Sequence, residues 1–159
     1  MEKQLYINVD ERVERAQNYF KSGYNCAQAV VMAFDDVMEQ SPEMLARLTA
    51  PFGGGMGRMR EVCGTVSGMA FLAGAISPAV DPSNLEERKA NYALVQHFAE
   101  QFRRENGDIV CRRLLGLEPM VERTETAMPS QRTEEYYKKR PCVEYVGCAA
   151  RIVAEYLKR

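Results

Sequence analysis

Residues 62–80 read VCGTVSGMAFLAGAISPAV and form the longest stretch without a charged side chain in this 159-residue sequence. The stretch is close to the length of a membrane span, but its glycines, hydroxyl side chains and proline favour a buried core helix. Small residues recur four positions apart, so one face of this helix lets another backbone approach closely. The pairs are Gly64 with Gly68 and Ala70 with Gly74. We therefore expect this helix to be central, although such a face could equally serve a homodimer.

Helical signals continue on the N-terminal side of this stretch. Three residues with side-chain acceptors stand where a helix N-cap is expected, namely Asn8, Asn25 and Ser41. The helices that they predict run over residues 9–22, from Cys26 through residue 37, and over residues 42–50. Each carries apolar residues at helical spacing, so each has one face to bury.

On the C-terminal side, Ser83 opens the longest predicted helix, which ends near Asn106. A short helix over residues 109–115 and a last helix that starts near Pro141 complete the pattern. Residues 117–133 contain two prolines and show weak periodicity, so we interpret them as a long loop or a partly ordered lid. No alternating β-branched run bounded by hairpin turns interrupts these signals.

The fold class that follows is all-α. We expect a compact multi-helix bundle of about six to seven helices, in a single domain that covers residues 1–159. Apolar residues make up 46% of the chain, and a chain of this length can bury about two-thirds of its unfolded surface. Such a core does not need disulfides to hold it.

The charge composition excludes some partners and compartments. Lys and Arg number 21 against 22 Asp and Glu, with no basic stripe to neutralise phosphates, so we expect no nucleic-acid partner. Residues 1–10 lack the basic start and apolar run of a secretory signal, which predicts a cytoplasmic protein without a membrane span. In that reducing compartment, the five cysteines would serve packing, metal binding or reversible redox chemistry.

Four cysteines coincide with predicted helix starts. They are Cys26, Cys63, Cys111 and Cys142. The N-terminus of a helix presents unpaired N–H groups and a partial positive charge, which favour a thiolate over a thiol. The pattern therefore predicts reactive thiols with a lowered pKa, although cysteine is also a small apolar residue that often only packs.

Basic side chains stand near three of these cysteines in the sequence. They are Arg58, Arg60, Arg112, Arg113, Lys138, Lys139 and Arg140. A neighbouring positive charge lowers the pKa of a thiol. In a chain with 21 Lys and Arg, however, such neighbours also occur by chance, and most point to solvent.

The fifth cysteine and the single histidine are interpreted as structural. Cys148 is six residues beyond Cys142 on one predicted helix, a rotation of about 240° and a rise of about 9 Å, so these two cannot form a disulfide. His97 lies on the border of the apolar face of the longest helix. No cysteine pair has the Cys-x-x-Cys spacing, but four thiolates from four helices could still converge on zinc or an iron–sulfur cluster.

Residues 52–57 read FGGGMG and cannot form an ordinary helix, because each glycine there would cost about 1 kcal/mol. Two interpretations stay open. The N–H groups of Gly53, Gly54 and Gly55 could cradle an anion or cofactor, with Arg58 as its partner, or the glycines could let the chain turn between packed helices. The loop matches neither the P-loop nor the dinucleotide-binding pattern.

Five segments of the sequence resemble those of the C_GCAxxG_C_C family, whose members are proposed to be redox-active. The segments are YNCAQA at 24–29, FGGGMGR at 52–58, CGTVSG at 63–68, CRRLLG at 111–116, and Cys142. The resemblance extends from about Phe20 to Tyr156. It implies that the family's four cysteines are Cys26, Cys63, Cys111 and Cys142, and it leaves Cys148 outside the set. This sequence has Thr65 where the family usually has alanine.

Three functions follow from these observations. The first is a thiol redox or electron-transfer protein, an oxidoreductase or electron carrier, whose four cysteines exchange electrons with a partner protein or a small molecule. The second is a metal-binding protein with a zinc or iron–sulfur site on the same four cysteines. The third is a structural or ligand-binding helical module in which the cysteines only pack.

Overall fold

The computed structural model describes residues 5–118 and 126–158, and in these ranges the chain is helical. The helices are α1 (Val9–Lys21), α2 (Cys26–Met32), α3 (Asp35–Met38), α4 (Pro42–Thr49), α5 (Gly64–Ile76), α6 (Leu85–Asn106), α7 (Cys111–Leu114), α8 (Glu134–Lys139) and α9 (Cys142–Leu157). A single 3-10 turn, Ala50–Phe52, follows α4. The described residues form no β-strand, only one isolated antiparallel bridge. The predicted all-α class is confirmed.

The predicted number of helices, six to seven, is wrong, because the described residues form nine. One additional helix arises where the predicted second helix breaks into α2 and α3. The buried guanidinium of Arg12 donates to the carbonyl of Ala33 at 2.8 Å and to both carboxylate oxygens of Asp36 at 2.6 Å. Phe34, between them, leaves helical geometry with φ −124° and ψ 37°. A long-range contact therefore ends α2 early.

The other additional helix, α8, lies in a polar stretch that has no apolar stripe. The hydroxyl of Thr133 accepts the N–H of Tyr136 at 3.2 Å and so caps the helix. Lys139 and Glu135 form an i,i+4 ion pair at 2.6 Å on its exposed side. Such local interactions stabilise a short helix without much burial. The predicted loop over 117–133 contains no helix in its described parts, and its residues 119–125 lie outside the described ranges.

The predicted N-caps Asn8, Asn25 and Ser41 are confirmed. Each side chain accepts the N–H of the residue three positions later, at 3.0, 2.9 and 3.2 Å. The longest helix, α6, starts one residue later than predicted, because Asn84 and not Ser83 is its cap. The short helix α7 starts at Cys111, two residues later than predicted, with no side-chain cap.

Helix α5 forms within the stretch 62–80, where a helix was predicted. It packs against α2, α3, α6 and α9, while α1 lies along α9 and against α2. Gly68 lets α5 approach α2 closely, since a Cβ there would lie 3.2 Å from the Cβ of Val30. Gly74, by contrast, faces open space. In the described ranges, every helix falls short of the length or the apolar character that crossing a bilayer requires.

Candidate functional site

A cavity of about 360 Å³ lies where the N-termini of four helices meet, and all four predicted cysteines line it. Cys26, Cys111 and Cys142 are the first residues of α2, α7 and α9, and Cys63 is the N-cap of α5. All are free thiols. The predicted placement at helix starts is therefore confirmed, and the tertiary fold brings the four sulfurs to one cavity.

Cys63 and Cys111 are positioned by the one isolated bridge in the described ranges, which pairs Val62 with Val110. The N–H of Cys63 donates to the carbonyl of Ile109 at 2.8 Å, and the N–H of Cys111 donates to the carbonyl of Glu61 at 2.6 Å. These bonds hold the start of α7 against the start of α5. Two thiols that are 48 positions apart in the sequence thus enter the cavity side by side.

Glycines make room for the thiols at two places. A Cβ on Gly64 would lie 2.4 Å from the sulfur of Cys26 and 2.9 Å from the carbonyl oxygen of Phe52. A Cβ on Gly55 would lie 2.7 Å from the Cβ of Cys111. Such distances are too short for real side chains. Gly64 is therefore required because Cys26 approaches it closely, and Gly55 is required because Cys111 does.

The glycine loop turns back on itself in a left-handed conformation. Backbone φ is positive at every residue of 54–58, from 54° to 71°, and at Arg60, where it is 60°. Met56, Arg58 and Arg60 are not glycines, and each such residue costs roughly 1–2 kcal/mol. The N–H groups of residues 56–61 donate to carbonyls of residues 51–56. These bonds make the loop a compact turn between α4 and α5.

The glycines predicted for cofactor binding occupy different positions. Gly53 and Gly54 line the cavity together with Arg58, whereas Gly55 packs behind Cys111. Arg58 donates to the carbonyl of Thr126 at 2.7 Å and to the hydroxyl of Ser130 at 2.9 Å. It thereby ties the glycine loop to the segment 126–132 across the cavity.

The basic neighbours predicted from the sequence have mixed roles. Arg60 is buried, and it donates not to Cys63, its neighbour in sequence, but to the sulfur of Cys111 at 3.7 Å. Arg112 instead forms an ion pair with Glu61 at 2.8 Å. The sequence therefore indicated correctly that Arg60 lies near a thiol, but that thiol belongs to Cys111 and not to Cys63.

Burial raises the pKa of three of the thiols. The exposed fractions of Cys63 and Cys111 are only 6% and 7%, and desolvation disfavours the charged thiolate. The same effect raises the pKa of Cys142 to about 11. The prediction that helix N-termini give these three cysteines a lowered pKa is therefore wrong, because desolvation outweighs the partial charge of the helix ends.

Cys26 is the thiol that affects all the others. Burial is the largest cause that raises the pKa of Cys63 and of Cys142, and repulsion from a negative charge on Cys26 is the second largest. The same repulsion also raises the pKa of Cys111. Cys26 lines the same cavity as these three cysteines. Cys26 is also more exposed than Cys63 and Cys111.

The remaining wall of the cavity consists of residues that no motif identified. Tyr136 of α8 and Tyr145 of α9 line it, as do Arg132 and Arg140. Arg132 donates to the carbonyl of Phe20 at 2.8 Å, and its guanidinium lies 4.1 Å from the ring centroid of the same residue. Arg132 belongs to the weakly periodic stretch, where nothing local indicates a role. Arg140 was noted only as a neighbour of Cys142.

The sulfurs do not converge in the way that metal ligation needs. Throughout ranges 5–118 and 126–158, no three His, Cys, Asp or Glu side chains are grouped so that they could hold a metal ion. A zinc or iron–sulfur centre requires four ligands at about 2.3 Å from a shared metal or cluster atom. The arrangement of the four cysteines thus does not fit such a centre.

The sequence of the chain fits one known family over most of its length. The family model described as "Putative redox-active protein (C_GCAxxG_C_C)" matches residues 24–156, a range that includes all four cysteines of the cavity. The chain belongs to this family. No curated protein and no solved structure matches it.

In this C_GCAxxG_C_C member, the fifth cysteine is separate from the cavity. Cys148 accepts a hydrogen bond from Asn106 at 3.4 Å and contacts Glu105 at 3.5 Å, and Arg151 forms an ion pair with the same glutamate. Its side chain also packs against the core. His97 lies against the rings of Phe98 and Tyr156 and does not line the cavity.

Proposed function

We propose that this protein is a thiol redox protein in which Cys26 forms a reversible disulfide with another cavity cysteine. The observation that carries the proposal is the meeting of four free thiols from four helix starts in one cavity. The name of the family suggests redox activity and agrees with it.

The chemistry follows from the different exposures of the thiols. A thiolate attacks a disulfide sulfur through a mixed disulfide, so the first thiol must be accessible and the second must lie beside it. Cys26 is half-buried and borders the open cavity, whereas Cys63 lies beside Gly64, against which the sulfur of Cys26 packs. Cys142 is also half-buried, but burial raises its pKa to about 11, so Cys26 is the exchanging thiol, and Cys63 is its first candidate partner.

The test is a thiol count before and after oxidation. The protein is purified without oxygen, treated with hydroxyethyl disulfide, and its remaining thiols are titrated in denaturant. We expect the count to fall by two from the initial five, and mass spectrometry of the unreduced digest to show a disulfide that includes Cys26.

Two matched variants make the test decisive. Cys26→Ser should prevent the pair from closing, whereas Cys148→Ser, the control outside the cavity, should still lose two thiols. The proposal fails if Cys26→Ser loses two thiols as readily as the unmodified protein does. It also fails if Cys148 is the only cysteine that is oxidised. Stoichiometric zinc or iron in the anaerobic protein, with the thiols protected from titration, would support the metal-binding function instead.

A further inference from the structure

The charged residues that line the cavity all have one sign. Of the described residues in its wall, four are arginines and none is a carboxylate. The chain as a whole has 21 basic and 22 acidic side chains, so the arginines give the wall a local positive charge that the whole chain lacks. They are Arg58, Arg60, Arg132 and Arg140.

Two of these arginines, Arg132 and Arg140, have no carboxylate partner among their described contacts, so their positive charge is not neutralised. Arg132 donates only to backbone carbonyls, of Phe20 at 2.8 Å and of Tyr24 at 2.9 Å, and lies over aromatic rings. The guanidinium of Arg140 lies 5.7 Å from the ring centroid of Tyr136. Neutral carbonyls and rings position a guanidinium without neutralising it.

Arg140 is also close to the thiols. It lies two residues before Cys142, and its charge lowers the pKa of both Cys142 and Cys111, in opposition to burial. An anion bound at Arg140 would therefore be next to the sulfurs. The volume of about 360 Å³ is at the small end of ligand-binding cavities.

We propose that the cavity takes a small disulfide or thiol whose chain ends in a carboxylate or phosphate, with Arg140 and Arg132 binding the anionic group. This inference rests on the proposed thiol function and adds a substrate class to it. A guanidinium binds such oxyanions through paired hydrogen bonds, so it also orients the sulfur of the substrate toward Cys26.

The reaction with a substrate disulfide is a two-electron exchange. The thiolate of Cys26 attacks one substrate sulfur, the substrate S–S bond breaks, and the first substrate thiolate leaves and takes up a proton. A second cavity cysteine loses its proton and attacks the sulfur of Cys26, and the second substrate thiol is released. The protein is oxidised by two electrons, and the disulfide is reduced to two thiols.

The test compares three small disulfides that differ in charge: dithiodipropionate, which is anionic, hydroxyethyl disulfide, which is neutral, and cystamine, which is cationic. Each rate of protein oxidation is divided by the rate of the same disulfide with a small reference thiol, which removes differences in intrinsic reactivity. We expect the normalised rate to be at least about tenfold higher for the anionic than for the cationic reagent. Added salt should reduce this ratio.

Variants locate the effect. Arg140→Gln should lower the ratio of the dithiodipropionate rate to the hydroxyethyl disulfide rate at least about threefold, and Arg140→Lys should restore part of this ratio. Lys138→Gln removes the same charge from an exposed position two residues away and should have no effect. Rates that do not depend on reagent charge, or an Arg140→Gln variant that behaves like Lys138→Gln, would overturn the inference.

A second measurement separates this inference from the proposed function. Thiodipropionate has the same two carboxylates but no S–S bond, so its binding, followed by NMR shifts of cavity residues, does not depend on redox activity. Binding that is lost in Arg140→Gln, with no oxidation by any disulfide, would uphold the anion site and refute the thiol function. Oxidation by hydroxyethyl disulfide without binding of thiodipropionate would uphold the thiol function and refute the anion site.

Discussion

Two opposing effects act on the thiol of Cys111. Burial raises its pKa, whereas the hydrogen bond from Arg60 and the positive charges of Arg60 and Arg140 lower it. A donor and a nearby cation stabilise only the thiolate form, so they increase the fraction of the nucleophile at a given pH. The reactivity of Cys111 thus depends on a side chain that is 51 positions away in the sequence.

Replacing Arg60 should make Cys111 less reactive. In Arg60→Gln, the pKa of Cys111 is expected to rise further, and its alkylation by iodoacetamide at pH 8 to slow at least about threefold, because fewer molecules hold the thiolate. Arg60→Lys keeps the charge and should retain much of the rate. Mass spectrometry of the alkylated peptides measures both. Equal rates in Arg60→Gln and the unmodified protein would contradict this account.

Cys63 has its own local stabilisation. The hydroxyl of Thr65 lies 3.0 Å from its sulfur and lowers the pKa of Cys63 in opposition to burial. Thr65 is itself fully buried. Thr65 therefore supplies a hydrogen-bond partner to a cavity thiol from inside the core.

At the scale of the element, α5 combines packing with the construction of the site. Its first residue, Gly64, lies against the sulfur of Cys26, and Gly68, one turn later, lies against Val30 of α2. The same face that packs α5 into the core therefore forms one wall of the cavity. Gly74, near the other end of the helix, contacts nothing.

Alanine at two positions of α5 should have opposite effects. Gly64→Ala places a Cβ 2.4 Å from the sulfur of Cys26 and should lower the free energy of unfolding by about 1–3 kcal/mol, the usual range for overpacking. Gly74→Ala, the control in open space, should raise it by about 0.5–1 kcal/mol because alanine is the better helix former. Urea denaturation with a reductant measures both. A stable Gly64→Ala protein with unchanged Cys26 reactivity would refute the close approach.

At the scale of the whole molecule, the cavity lies at the border of a continuous apolar core. The largest fully buried side chains come from many helices: Phe34, Leu45, Met69, Leu72, Phe98, Phe102 and Ile152. Cys63 belongs to this core, and Cys26 and Cys142 pack against it. Cys63 and Cys142, both of which have a raised pKa, are therefore part of the packed structure, so their ionisation affects the stability of the fold.

The folded protein should lose stability in alkaline solution. In the unfolded chain these thiols ionise near pH 9, whereas burial keeps Cys142 neutral until about pH 11. A raised pKa in the folded state means that the unfolded state loses protons first, so the free energy of unfolding falls as pH rises above 9. One such thiol contributes up to about 1.4 kcal/mol per pH unit. Urea denaturation with a reductant between pH 8 and 10 measures this decline.

Two variants separate ionisation from packing in that measurement. Cys142→Ala should make the decline between pH 9 and 10 shallower. Val146→Ala, which removes a buried side chain of α9 that does not ionise, should lower stability by a similar amount at every pH. If both variants keep the slope of the unmodified protein, then Cys142 is not the source of the decline.

Local patterns in the sequence predicted much of the fold, because the start of a helix at an N-cap and its end at a glycine depend on neighbouring residues. Asn8, Asn25 and Ser41 cap the helices that were assigned to them. The break after α2 could not be predicted, since it depends on Arg12, which reaches Ala33 from another helix. The same limit explains why the short helix predicted over residues 109–115 begins only at Cys111, since Val110 forms a bridge with the distant Val62.

The sequence by itself determined the all-α class, a helix within residues 62–80, and the position of Cys26, Cys63, Cys111 and Cys142 at helix starts. These properties depend on contacts within a few residues along the chain. Only the tertiary structure decided that the four thiols share a cavity, that burial raises the pKa of three of them, and that Arg132 and Arg140 complete the wall. Burial and cavity charge depend on residues that are distant in sequence, and no local pattern records which distant residues will meet.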